Sequence, residues 1–439
     1  MENANEYRDT WRGVQIRVPE RWQVRSSGPG LFLHDPAGQR AIVIQPRLGA
    51  TTLDDLEHDL LAWLMRFDPK AEVQAEPDEA GGPRVCTAYA RTSPGQEAIG
   101  VFVLQMRSAG GLISGFLAPA LTYDNDSRIA VSALGSFQPL PVLSHRTWRE
   151  PSEGAATALV ARGWHVAGGV HRSRGQEPTI NFRTWADPWT GALANSEAKL
   201  YIEPGFLSGV LGNLIRGVAG QGRFVDAARY AEQHVLPALR LEAPKARITG
   251  VTLRPDIIPL TVVAEAASEG ISPEEALQGQ PSCADVELSF EVDGITLCQV
   301  SRVTTMRLPS ALSRGVPLWV ARVPYSYRAP LDRFAEWQPA LEGMAQSFQV
   351  DAKWQQHERE QGRRHKAKPT AARRPLNMPQ LLAEAERLVC EHLGRPLAIH
   401  ERPFDPWLGT IGGTAGTAPV QMSFGAYGES AWRTATARI

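Results

Sequence analysis

Val160-Ala161-Arg162-Gly163-Trp164-His165-Val166-Ala167-Gly168-Gly169 reads as a turn, a strand led by an aromatic side chain, and a glycine stop. The same spacing stands near the start of the chain, in Val18-Pro19-Glu20-Arg21-Trp22-Gln23-Val24, where Val-x-x-x-Trp-x-Val recurs. An echo of this kind specifies an architecture and no reaction. Around the first copy, Val14-Gln-Ile16-Arg-Val18 alternates apolar and polar residues as a half-buried strand does. Trp22-Gln-Val24, Leu31-Phe-Leu33 and Ala41-Ile-Val-Ile44 give three more short strands split by Gly and Pro signals, with a turn at Leu33–Gly38. Thr51 or Thr52 caps a helix whose apolar face is Leu53, Leu56, Leu60, Trp63, Leu64 and Phe67. Three longer strands are expected near 83–92, 96–107 and 110–118, then a helix from Tyr123 to Leu134 and a closing Ser136-Phe137. Antiparallel strands with two helices make an α+β unit.

Around the second copy the same landmarks return in order. Trp22 corresponds to Trp164, Asp35-Pro36-x-Gly38 to Asp187-Pro188-x-x-Gly191, and Val43-Ile44-Gln45-Pro46 to Tyr201-Ile202-Glu203-Pro204. The helix near 53–67 corresponds to Phe224–Leu236, and Gly135-Ser136-Phe137 to Gln346-Ser347-Phe348. Landmarks in one register argue for a duplicated fold. From tryptophan to phenylalanine the copies span 115 and 184 residues, so the second carries about 69 more. The extra residues fall near 205–222 and near 262–281, where Ser272-Pro-Glu-Glu275 starts a short helix. Asp293-Gly294 predicts a two-residue hairpin that sets Val292 opposite Ile295, Phe290 opposite Leu297, Ser289 opposite Cys298 and Cys283 opposite Thr304.

The expected organisation is residues 1–143 for copy one, 144–352 for copy two, a basic linker at 353–376, and a C-terminal helix with a Gly-rich tail at 377–439. Lys353 to Arg374 holds eight Lys or Arg against two Glu, which reads as a solvated helix end running into a linker. Leu381, Leu382, Ala385, Leu388, Val389 and His392 give the following helix its apolar face, and Pro396–Glu401 reads as a strand.

Trp11-Arg-Gly-Val-Gln-Ile-Arg-Val-Pro-Glu-Arg-Trp22 and Glu153-Gly-Ala-Ala-Thr-Ala-Leu-Val-Ala-Arg-Gly-Trp164 resemble the opening of a Mog1/PsbP-like α/β/α sandwich. The second stretch is similar to a bacterial pattern, G-A-F-x-V-x-V-P-x-G-W, with Ala161 where the pattern has Pro. The resemblance covers about 11–140 and 148–350 and implies two tandem antiparallel-sheet α/β/α sandwiches. Known relatives act by binding, one kind at a small GTPase and another at the photosystem II lumenal face. The resemblance therefore implies a binding protein, but no residues carry either partner over.

Composition narrows the function classes. Lys plus Arg (46) nearly balance Asp plus Glu (47), so no global positive field favours nucleic acid, and the basic run 353–374 reads as a solvated linker. The N-terminal stretch has no basic and apolar signal-peptide pattern, and no window reaches the roughly 20 apolar residues of a membrane span, which makes the cytoplasm the expected location. Cys86, Cys283, Cys298 and Cys390 lack metal or redox spacing and are expected reduced. There is no P-loop, no Gly-x-Ser-x-Gly elbow and no His-Glu-x-x-His. Ser114 and Ser208 lack a visible base, His165 and His171 are six apart, and Cys390 and His392 lie on one helix, so no catalytic residue, metal site or cofactor is expected.

Two stretches remain as candidate partner-binding surfaces. In Gly205–Gly222, Phe206, Leu207, Val210, Leu211, Leu214, Ile215 and Val218 recur at helical spacing, and Arg216 is the only charge. Trp185-Ala-Asp-Pro-Trp189 sets two indoles at a turn, where they either make a ligand or protein contact or pack the turn itself. The expected function is a non-enzymatic binding or assembly protein of the bacterial cytosol with another protein as partner. The alternatives are membrane-peripheral contact through 205–222 and an enzyme with a site between the copies.

Overall fold

The computed structural model describes residues 6–27, 30–47, 50–76, 82–93, 96–107, 110–172, 178–204, 218–269, 271–308, 317–364 and 378–402. The fold is α+β with antiparallel sheets, and the chain divides into two units.

In the first unit, β1 (Glu6–Asp9), β2 (Val14–Arg17) and β10 (Gln138–Pro139) form a small sheet. The main sheet is built from β3 (Gln23–Ser27), β4 (Gly30–His34), β5 (Ala41–Arg47), β6 (Glu72–Ala75), β7 (Arg84–Ser93), β8 (Gln96–Arg107) and β9 (Gly110–Pro119), in the order β3-β4-β5-β9-β8-β7-β6. Successive strand residues point to opposite faces, and here both faces are covered. Helix α1 (Leu53–Met65) packs Leu56, Leu60, Trp63 and Leu64 onto Phe32, Val43 and Phe102. Helix α2 (Tyr123–Gly135) and the small sheet cover Leu31, Leu33, Ile42, Ile44 and Phe116 on the other face. Thr52 caps α1, and Asp55 reaches back to complete a capping box.

The second unit runs from Ser144 to Arg395. Its small sheet is β11 (His145–Arg149), β12 (Ala156–Ala161) and β22 (Gln349–Val350). Its main sheet uses β13 (His165–His171), β14 (Thr179–Trp185), β15 (Gly191–Asn195), β16 (Ala198–Ile202), β17 (Val218–Gln221), β18 (Arg247–Leu253), β19 (Ser282–Val292), β20 (Ile295–Arg307) and β21 (Leu318–Pro330). The order β13-β14-β15-β21-β20-β19-β18 is the order of the first unit, strand for strand. Strands β15 and β16 pair with successive parts of β21, so together they fill the lane that β5 fills alone. Helix α3 consists of Ala227–Tyr230, a π-helical turn Ala231–Val235 and Leu236–Arg240, and it covers one face through Tyr230 and Ala231. Helix α6 (Phe334–Gln346) packs on β12, β15 and β21.

Shared sequence signals do the same local work in both units. The Trp22 amide donates to the Pro19 carbonyl at 3.0 Å and the Trp164 amide to the Ala161 carbonyl at 3.2 Å. The residue before each tryptophan has positive φ, 65° at Arg21 and 82° at Gly163, as the third position of a type II turn requires. Ser136 and Ser347 each donate to the carbonyl three residues back in the helix, at 2.6 and 2.7 Å. Each also accepts a small-sheet amide at 2.8 Å, from Arg17 and from Leu159 respectively.

The added residues of the second unit include α4 (Ile258–Glu269) and α5 (Pro273–Gln278), the latter opened by a Ser272/Glu275 capping box. The helix expected at Phe224–Leu236 begins and ends later, at Ala227 and Arg240. Helix α7 (Ala352–Arg364) follows β22. Helix α8 (Met378–Leu393) packs on α4 and α5, burying Leu382, Ala385 and Val389 while His392 is exposed. Thus, among the described residues, the C-terminal part makes no unit of its own. Residues 396–402 fall with the first unit, and the expected strand Pro396–Glu401 is a 3-10 turn over Ile399–Glu401, whose Ile399 is buried in the α1 core.

Candidate functional site

Alternation along β14, β15, β21 and β20 sends two rows of side chains to the α3 face of the second unit. One row is Trp185, Gly191, Arg328 and Gln299; the next is Arg183, Leu193, Ser326 and Ser301. Helix α3 covers this face over Ala284, Val286, Leu288, Val303 and Ala321. The end of the face toward β14 forms instead the floor of a cleft of about 330 Å³, lined by Arg183, Trp185, Leu193, Gln299, Ser326 and Arg328, with Glu242 at its wall.

The polar groups of the floor are ordered. The Ser301 and Ser326 hydroxyls lie 2.8 Å apart, and Gln299 Nε2 donates to Ser301 at 3.1 Å. The Arg183 guanidinium stands 5.1 Å from the Trp185 ring centroid. The Trp185 ring stacks on its cross-strand neighbour His165 at 5.5 Å. Arg328 Nη2 donates to the Pro188 carbonyl at 3.1 Å. Burial and the nearby Arg183 guanidinium lower the proton affinity of Arg328, with Glu242 opposing. Among the described residues no carboxylate lies within ion-pair distance of Arg183 or Arg328, so both keep donor capacity facing the cleft. Leu193 remains 42% exposed.

Sequence reasoning named Trp185 and Trp189 together, and the structure separates them. Trp185 ends β14 and lines the cleft. Trp189 packs against Ala243, Ala246, Phe290 and Leu297, so it serves the core. Asp187 holds that turn by accepting from the Trp189 and Thr190 amides, each at 2.8 Å. Phe206, Leu207, Val210, Leu211, Leu214 and Ile215 lie outside the described residues. Val218 begins β17, in parallel pairing with β16, so the expected helical spacing does not extend to it. Arg183 and Arg328 were not singled out from sequence. They lie 145 residues apart, and only the sheet register, with Arg183 facing Leu193 and Arg328 facing Gly191, brings them together.

Ser114 is buried, with its hydroxyl on the Val103 carbonyl. His165 and His171 stand at opposite ends of β13, about 20 Å apart along an extended strand. Burial pushes the Cys283 and Cys298 thiols up to about 12, which keeps both protonated at neutral pH. Among the described residues there is no group of three or more His, Cys, Asp or Glu side chains placed to hold a metal, and no helix long and apolar enough to cross a membrane.

No protein-family model matches this chain, and no curated protein matches it. Cyanobacterial PsbP (CyanoP) from Synechocystis sp. PCC 6803 is similar at TM-score 0.22 and 13% identity, over 30% of this chain and 91% of that one. The Tle4-Tli4 complex contains a chain similar at TM-score 0.17 and 10% identity, over 70% of this chain and 86% of that one. The apo immunity protein TplEi of T6SS from Pseudomonas aeruginosa is similar at TM-score 0.15 and 9% identity, over 75% of this chain and 97% of that one.

Proposed function

We propose that the chain is a tandem protein of two Mog1/PsbP-like sandwiches that works without catalysis, as a protein-binding or assembly component of the bacterial cytosol. The observation that carries the reading is the β14 end of the α3 face in the second unit, which helix α3 leaves open among the described residues. There a partly exposed indole, an exposed leucine and two guanidiniums share one shallow floor. Aromatic and arginine side chains on a fixed scaffold are the groups that dominate protein interfaces. Strands β14, β15, β20 and β21 hold the floor rigid, so contact costs little ordering entropy.

The test is affinity purification of the full tagged chain from its source cells beside Trp185→Ala and Leu193→Asp. The expected result is a stoichiometric protein partner that both variants lose while their melting temperatures match the parent's. A parent protein recovered alone, or a partner retained by both variants, would overturn the reading.

A further inference from the structure

The two units differ at one place in a way that their common register makes legible. In the first unit the rows equivalent to those of the cleft are His34, Ala41, Leu117 and Gly100, then Phe32, Val43, Gly115 and Phe102. Apart from the His34 ring these are small or apolar, and the chain's own segment 398–402 lies over them. His400 stacks on His34 with ring centroids 3.5 Å apart and planes 7° apart. Ile399 enters the core that contains Phe32, Val43 and Leu117. The Arg402 carbonyl accepts from Trp63 Nε1, and the Arg402 guanidinium lies 4.6 Å from the Phe67 ring centroid. The Gly38 turn comes so close that a Cβ there would sit 2.9 Å from Ala398 Cβ. This end of the sheet face is thus a seat for a short segment of polypeptide, and the first unit shows it filled.

At the matching positions of the second unit, Arg183 replaces Phe32, Trp185 replaces His34, Gln299 replaces Gly100, Ser326 replaces Gly115 and Arg328 replaces Leu117. The seat keeps its position and its flat ring, and exchanges apolar floor for two cations and neutral polar groups. Resting on the protein-binding reading above, we infer that this cleft seats a short segment of a partner protein through an acidic side chain. The carboxylate would lie between the Arg183 and Arg328 guanidiniums, with an adjacent apolar residue against Trp185 and Leu193. Guanidinium pairs match carboxylate geometry, and a half-desolvated site strengthens the contact. Asp187 and Glu242 also line the cleft, and their charge disfavours a segment with many carboxylates.

The probe is the blocked peptide acetyl-Ala-Glu-Leu-Ala-Ala-amide, patterned on 398–401 with a carboxylate at the Ile399 position, over Arg183 and Arg328, and an apolar residue at the His400 position, over Trp185. Its Gln and Lys forms serve as controls. Each is titrated into the full chain while the Trp185 indole N–H resonance is followed, assigned with Trp185→Phe. The expected result is a saturable shift with the Glu peptide and at least tenfold weaker binding of the Gln form. Arg183→Gln and Arg328→Gln should each weaken the Glu peptide at least tenfold, and raising salt from about 50 to about 500 mM should weaken it further. Equal binding of the Glu and Gln peptides, no binding of any, or insensitivity to both arginine substitutions would overturn the inference. If the partner in cells still depends on Trp185 while the acidic peptide fails, protein binding stands and carboxylate recognition falls; if both fail, both readings fall.

Discussion

Asp285 shows what a single buried charge does in this protein. Its Oδ1 accepts from Arg302 Nε at 2.7 Å, its Oδ2 from Arg302 Nη2 at 2.8 Å, and it also accepts from Arg254 Nη1. Arg254 in turn grips Asp256 through two bonds, at 2.8 and 3.0 Å, and the Arg302 guanidinium lies 4.7 Å from the Tyr325 ring centroid. Two arginines against two aspartates leave no net charge in the cluster. Burial alone would raise the Asp285 carboxyl, but the Arg302 and Arg254 guanidiniums outweigh it and hold it well below the usual carboxylate range. The folded pKa is therefore lower than the unfolded value near 3.9. Stability from this group is fully present above about pH 4 and is lost as pH falls below that. Glu150 acts in the same direction: burial opposes, but the Ser152 hydroxyl and the Glu153, Ser152 and Ala155 amides win and hold it at about 2. Urea midpoints should drop below about pH 4 as these two carboxylates take up protons. Asp285→Asn should flatten that acid limb and cost about 3–5 kcal/mol at pH 7, because it leaves buried guanidinium charge without its anion.

At the scale of elements, the local signals that were readable are those that satisfy a backbone requirement on their own. The Thr52/Asp55 box fixes the start of α1, and Thr52→Ala should cost about 1 kcal/mol in thermal unfolding. Asp293 and Gly294 sit at φ 50° and 78°, the two positive values of a type I′ turn. The β19–β20 pairing that follows has the four expected partners, including Cys283 opposite Thr304. Gly294→Val should cost roughly 1–2 kcal/mol, since a β-branched residue resists the left-handed region, and hydrogen exchange should localise the loss to β19 and β20. The strand expected at Pro396–Glu401 failed for a complementary reason. Its short apolar run carried no partner information, and the Ala398 amide is satisfied within the segment by Glu401 at 2.7 Å.

At the scale of the molecule, the segment around Ile399 stabilises a core formed by strands and a helix from the first 120 residues of the chain. Ile399 is 1% exposed among Phe32, Leu60, Trp63 and Leu117. Ile399→Asp forces a charge into that core, and it should cost several kcal/mol by loss of apolar burial together with desolvation of the carboxylate. Hydrogen exchange should quicken in α1 and β4 and leave α3 and β19 unchanged; uniform protection across α1 would refute this assignment. The same logic separates the two seats. The first unit's is lined for burial by its own chain, and the second unit's is lined by cations that water tolerates.

Elements whose cause is local were legible from the residues alone: the tryptophan-led turns at Trp22 and Trp164, the helix ends at Ser136 and Ser347, the capped helices, and the Asp293-Gly294 hairpin. Each depends on residues within a few positions, where φ preferences and capping hydrogen bonds act without help from the rest of the chain. Trp185 and Trp189 look alike in sequence, and only the structure sent one to the cleft and the other to the core around Phe290 and Leu297. Arg183 and Arg328 carry no mark in the sequence, because an arginine on a strand becomes a site only when register sets a second one beside it. That pairing, and the seat of 398–402 on the first unit, follow from long-range packing, which no local preference encodes.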